Sequence, residues 1–136
     1  MRKFIGIIVG LVIAIALIDL AWGLAARWFP SPIDPGSDTD LLATYVIRMP
    51  LSGQLIVAAG WFVAGFAAAF VALRISQWRP AGWIVGVLIV VLGIWNLTQL
   101  AQPLWMQMMS FVAPLIGCWL AERHFHRARP GDPLLN

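Results

Sequence analysis

Few side chains in this 136-residue chain could do chemistry, and the first of them is Asp19, an acid set inside a long apolar run. A carboxylate at membrane depth is costly, and where one occurs it usually faces a protein interior, a proton path or a cationic solute. Counted along a helix, Asp19 sits about 6 Å from the middle of its run toward the outer side, where so short a side chain cannot easily reach water. It needs a proton or a partner. At similar depth the other runs offer Asn96, Gln54 and Gln107, with Ser110 slightly deeper and Gln99 and Gln102 nearer the surface. Asn96 follows Gly93 by three residues and so shares its helix face, which makes it the leading partner of Asp19. Asp19, Asn96, Gln54, Gln107 and Ser110 form a candidate intramembrane polar cluster. One reading is a vestibule in which Asp19 exchanges a proton or binds a cation. The other is a hydrogen-bonded lock on helix register, each contact contributing about 0.6 to 2 kcal/mol. The acid's nearness to the interface puts the structural reading first, and Arg48 as a further partner would reinforce it.

Other reactive groups are sparse. Asp34, Asp38 and Asp40 supply hard oxygen ligands, but without the spacing and terminal Glu of a calcium loop, so Asp38 is read as a helix N-cap. Glu122, His124 and His126 include zinc-ligand types, and Glu122 and His126 fall one helical turn apart, yet the surrounding arginines disfavour a cation. No nucleophile with its base, paired acid and base, or phosphate-binding glycine loop assembles. The expectation is no catalytic residue, no cofactor, no metal and no enzyme activity. Cys118 stands alone, so it forms no intramolecular disulfide and reads as a small buried hydrophobe.

The elements that must position these residues are set by composition. Hydrophobic residues make up 61% and charged residues 11%, against about 25% charged in soluble domains, and the mean hydropathy is +0.85. The solvent of this chain is lipid. Crossing roughly 30 Å of hydrocarbon takes about 20 apolar residues. Four runs approach that length: Phe4 to Ala26, Leu51 to Leu73, Ala81 to Leu100 and Leu104 to Ala121. Helix is the conformation they require, since an unpaired amide in lipid costs several kcal/mol and nothing alternates with the period of a barrel strand. The fold class is therefore all-α: a single transmembrane domain of four helices in a bundle, with a loop at 27–50 and a tail at 122–136. Pro30, Pro32 and Pro35 forbid continued helix after the first span. Beyond them Asp38 and Asp40 suit a helix start, and Leu41, Leu42, Tyr45, Val46 and Met49 recur at helical spacing. A short amphipathic helix resting on the membrane surface or the bundle top is expected there.

Arg2, Lys3, Arg74, Arg79, Arg123, Arg127 and Arg129 fall on one side of this topology, and only Arg27 and Arg48 on the other. Basic residues near span ends resist translocation, so both termini are expected in the cytoplasm of a bacterial inner membrane, with the loop periplasmic. The basic tail reads as an anchor and not as a nucleic-acid patch. A cleaved signal peptide ending near Gly23 to Ala26 is the lesser alternative for the first run. Trp22, Trp28, Trp95 and Trp105 suit one interface, and Trp78, Trp83 and Trp119 the other. Trp61 falls mid-span and is expected to pack as a wedge. Pro114 is expected to kink the fourth span and free a carbonyl near Ser110.

Small residues four apart allow close helix contact in lipid. Gly6, Gly10 and Ala14, then Gly60, Ala64, Ala68 and Ala72, then Gly82, Gly86 and Gly93 each line a face. Packing within one chain is favoured, and association with a second copy or with another membrane protein stays open; the lipid bilayer itself is an expected partner, and nucleic acid is not.

Four short spans with an acid in the first resemble the small multidrug transporters, but those often assemble antiparallel with weak orientation bias, which the lopsided Lys and Arg distribution opposes. A closer resemblance is carried by Gly93, Asn96 and Leu97 followed by Pro103, Leu104 and Trp105, by the proline loop and helix from Pro30 to Met49, and by Trp61 with Gly65. In these features the chain is similar to a widespread group of small, functionally uncharacterised four-span bacterial inner-membrane proteins. Asp19 stands where that group typically has a glutamate. The resemblance implies the same topology and no specific activity. The leading expectation is a structural or accessory membrane component acting through helix contacts; the alternative is a small transporter or a proton or cation pathway centred on Asp19.

Overall fold

Five helices appear in the computed structural model, which describes residues 1–30, 38–99 and 102–127. They are α1 Arg2–Trp28, α2 Thr39–Arg48, α3 Leu51–Ser76, α4 Pro80–Gln99 and α5 Leu104–Arg127. No strand occurs among the described residues. α1, α3, α4 and α5 are each long and apolar enough to cross a membrane, and α1, α3 and α5 overrun the apolar segments themselves, most of all where α5 continues past Ala121.

Local sequence explains where each helix begins and ends. Asp38 caps α2, its carboxylate accepting from the amides of Asp40 at 3.0 Å and Leu41 at 3.5 Å, and so satisfies donors that the first turn leaves unpaired. Asp40 in the first turn and Arg48 in the last complement the helix dipole. Pro50 precedes α3, and Pro80 opens α4 where its missing N–H is no loss. α3 stops at Gln77, whose left-handed φ of 53° turns the chain while its amide donates to the Leu73 carbonyl. The loop carrying Pro32, Asp34 and Pro35, and the tail with Arg129, lie outside the described residues.

α3 is the centre of the bundle. It packs against α1 and α5 along two faces, and α4 closes against α5, α3 and α1. The α1–α3 seam is antiparallel and built from small residues: a Cβ on Gly6 would lie 2.9 Å from the Ala72 carbonyl, one on Gly10 would lie 2.7 Å from the Ala68 carbonyl, and Gly60 abuts Ala21. The small faces expected from the sequence thus meet within one chain. In α4, Gly82 faces Leu73, Gly86 faces Cys118 and Gly93 faces the Ser110 carbonyl. α3 and α5 approach at backbone distance where Gly65 lies against Pro114 and Gly117 lies against Phe62 and Phe66.

Trp61 is buried in the main core with Ala14, Ile18, Val57, Val85 and Ile89, the wedge that its mid-span position suggested. α5 continues helically through Pro114. The ring removes the helical partner of the Ser110 carbonyl, and Gly93 leaves room beside that oxygen. Outside, the bundle is covered with exposed apolar side chains, among them Ile8, Val12, Leu55, Val63, Val87, Val91 and Ile116. In water a continuous coat of this kind would be a large aggregation-prone patch; around a membrane bundle it is the surface that lipid requires.

Candidate functional site

The polar residues divide into three groups that the fold keeps apart. The first holds α2 to the bundle. Gln54, buried at the start of α3, donates from Nε2 to the carbonyls of Val46 at 3.2 Å and Met49 at 3.1 Å. These are C-terminal carbonyls of α2 that the helix itself cannot pair. Val46 and Met49 are buried in the core, and the Tyr45 hydroxyl donates to the Phe29 carbonyl at 2.7 Å, a position where burial raises the phenol pKa above its ordinary value. Gln54→Leu would leave both carbonyls unpaired, so it is expected to destabilise the α2 contact by about 2 kcal/mol. Faster protease cleavage of the 38–50 segment, with the four spans still intact, is the measurement that checks it.

The second group joins the end of α4 to the start of α5. Gln102 donates from Nε2 to Asn96 Oδ1 at 2.8 Å, Gln107 donates to the Gln102 carbonyl at 2.7 Å, and the Ser110 hydroxyl donates to the Gln107 carbonyl at 2.7 Å. Asn96, Gln107 and Ser110 therefore gather as the sequence suggests. Gln102, placed nearer the surface by position alone, is the buried hub of the network. These hydrogen bonds link the Asn96 carbonyl oxygen, the Nε2 groups of Gln102 and Gln107 and the Ser110 hydroxyl into one chain.

Asp19 joins neither group. It is exposed on α1, and among the described residues it makes no hydrogen bond or ion pair, either with Asn96 or with Arg48. The reason is helical geometry. α1 buries Gly6, Gly10, Ala14, Ile18, Ala21 and Ala25, and Asp19 comes five residues after Ala14, about 140° around the axis at 100° per residue. That offset was readable from the sequence and points the acid away from its own bundle. On the same outer face lie Val12, Ala16 and Gly23, all exposed. Gly23 is exceptional among the described glycines: a Cβ built there would meet nothing within 4 Å, whereas every other one faces a neighbour.

The third group rings the end of the bundle that holds Met1. Lys3 lies 5.1 Å from the Trp78 ring centre, Arg74 lies 5.2 Å from Phe70 and Arg123 lies 5.4 Å from Trp119. Glu122 accepts from the Trp83 indole at 2.7 Å and pairs with Arg79 at 3.4 Å, tying α4 to α5. Arg79 is 70% exposed, so the ion pair itself contributes little. His124 packs edge-on against Phe66 and its Nδ1 lies 3.1 Å from the Leu120 carbonyl. Glu122 and His124 are thus engaged in separate contacts and do not converge as ligands. The described residues contain no group of three or more metal-ligating side chains. Asp34 lies outside the described residues, and Asp38 is occupied as a cap.

Four apolar helices in one bundle, coated with aliphatic side chains and carrying aromatic and basic residues at an end, define an integral, multi-pass membrane protein. No protein-family model, curated protein or solved structure matches the chain.

Proposed function

We propose that this protein is a non-catalytic structural or accessory component of a bacterial inner membrane, with both termini in the cytoplasm, and that it works by docking another membrane helix on the outer face of α1. The observation that carries this reading is Asp19, exposed on the bundle's outside and without a partner among the described residues. A carboxyl group in hydrocarbon is stabilised by a hydrogen-bonding neighbour, none of the described residues supplies one to Asp19, and a helix docked from outside the chain would. The separation of Asp19 from the Asn96, Gln102, Gln107 and Ser110 network favours helix contact over an internal proton or cation path.

The test is a photo-crosslinking amino acid placed at Ala16 on the outer face of α1 or at Val87, an exposed position of α4, in native membranes. Protein adducts are expected from position 16 and lipid labelling alone from position 87. Lipid labelling alone from both positions would overturn the docking reading. In liposomes, wild type and Asp19→Asn are expected to show the same proton and cation leak. A flux that the substitution abolishes at unchanged thermal stability would replace this reading with transport.

A further inference from the structure

Resting on that docking reading, we propose that the helix received by the outer face of α1 is α1 of a second copy, with the two Asp19 side chains hydrogen-bonded to each other across a two-fold axis along the membrane normal.

The depth of Asp19 restricts what can pair with it. Asp19 lies well inside its span, so a partner must bring a polar group to the same level of the bilayer. Another protein meets that condition only if its sequence happens to supply one. A second copy inserted in the same orientation meets it necessarily, because its own Asp19 is at identical depth. The chemistry is also self-complementary: a carboxyl that carries its proton donates and accepts, and an ionised one accepts, so two acids holding one proton between them form a hydrogen bond. Among the described residues, no charged group is paired with Asp19 to compete for it.

The shape of this face also suits a close helix partner. Ala16 and Gly23 flank Asp19 by about one turn on either side and share its face. Every other described glycine of this bundle sits where a neighbouring group approaches, and Gly23 alone faces open space. Small residues bracketing a polar one let two helix backbones come close enough for short side chains to touch. A face used by both partners around a two-fold axis is the commonest way in which identical chains associate.

The experiment uses the full chain in its native membrane, with Cys118→Ser removing the natural thiol. Ala16→Cys, Gly23→Cys and, as a control on α4, Val91→Cys are each introduced singly and exposed to a mild oxidant. A disulfide-linked species of twice the 15.0 kDa chain mass is expected from positions 16 and 23 and not from 91. Adding Asp19→Leu to Ala16→Cys should lower the yield roughly ten-fold, the equivalent of about 1.4 kcal/mol, within the range for a polar contact in lipid. Adding Asp19→Asn should preserve it, since paired amides both donate and accept. An unchanged thermal melt of the Asp19→Leu chain in dilute micelles establishes that the fold survives; a lowered melt would place Asp19 in the chain's own packing and overturn the proposal. If position 16 photo-crosslinks to a different protein and forms no self-disulfide, the second copy is ruled out while helix docking stands. If no protein adduct of any kind forms there, both fall. Equal disulfide yield with leucine at position 19 would remove the acid pair from the interface.

Discussion

Gly65→Val is expected to detach α5 from α3 and to cost about 3 kcal/mol, the upper part of the usual range for overpacking. A Cβ at Gly65 would stand 2.5 Å from the Cα and the carbonyl oxygen of Pro114. Backbone atoms of a proline inside a helix cannot swing aside as the end of a long side chain can. The facing residue has the same constraint: a Cβ on Gly117 would lie 2.6 Å from the Phe62 carbonyl and the Phe66 amide nitrogen. Gly117→Val should therefore reproduce the loss, and combining the two should cost less than their sum because both disrupt a single crossing. Thermal unfolding in detergent, followed by helix content and by loss of Cys118 protection from thiol reagents, checks this. Cys118 is buried beside the Gly65 carbonyl, 3.5 Å away, so it reports opening at that crossing. An unchanged melting temperature with a protected thiol would show that α3 and α5 do not meet there.

Gly10→Val should weaken the α1–α3 seam by about 2 kcal/mol, somewhat less than the central crossing. Its Cβ would lie 2.7 Å from the Ala68 carbonyl, 3.2 Å from the Ala72 side chain and 3.4 Å from Val85. Only the Ala68 carbonyl lies under 3.0 Å there, whereas all three nearest atoms at Gly65 are Pro114 backbone within 2.9 Å, which lowers the cost relative to that crossing. Gly23→Val, on the opposite face of the same helix, provides the internal comparison: with nothing within 4 Å of its Cβ, the unfolding of isolated chains in dilute micelles should be unaffected. Equal destabilisation by the two substitutions would mean that α1 is rotated about its axis relative to the seam described above.

The difference between these glycines shows where sequence and structure divide. The existence of four membrane-length helices followed from the apolar runs alone, because hydrocarbon leaves an isolated segment no way to pair its amides except helically. Asp38 announced the start of α2 by its type and its position before an apolar stripe, and it makes the expected cap. The small-residue faces of α1, α3 and α4 were visible as spacings of four.

Which way each face points was a different matter. A helix on the surface of a soluble protein betrays its inner face because the outer one is polar. A lipid-facing side is as apolar as the core, so α3 and α4 carry almost no such asymmetry, and polar side chains give the clearest bearing. Read by depth alone, Asp19 and Asn96 looked like neighbours. The bundle instead joins Asn96 to Gln102, a residue that a linear reading leaves near the surface, and commits Gln54 to the end of α2. It leaves Asp19 outside because the seam of Gly6, Gly10 and Ala14 claims the other side of the helix. Composition and covalent order decide that a segment crosses lipid. Its rotation about its own axis is decided by steric fit at crossings such as Gly65 against Pro114, which exist only after the helices have come together.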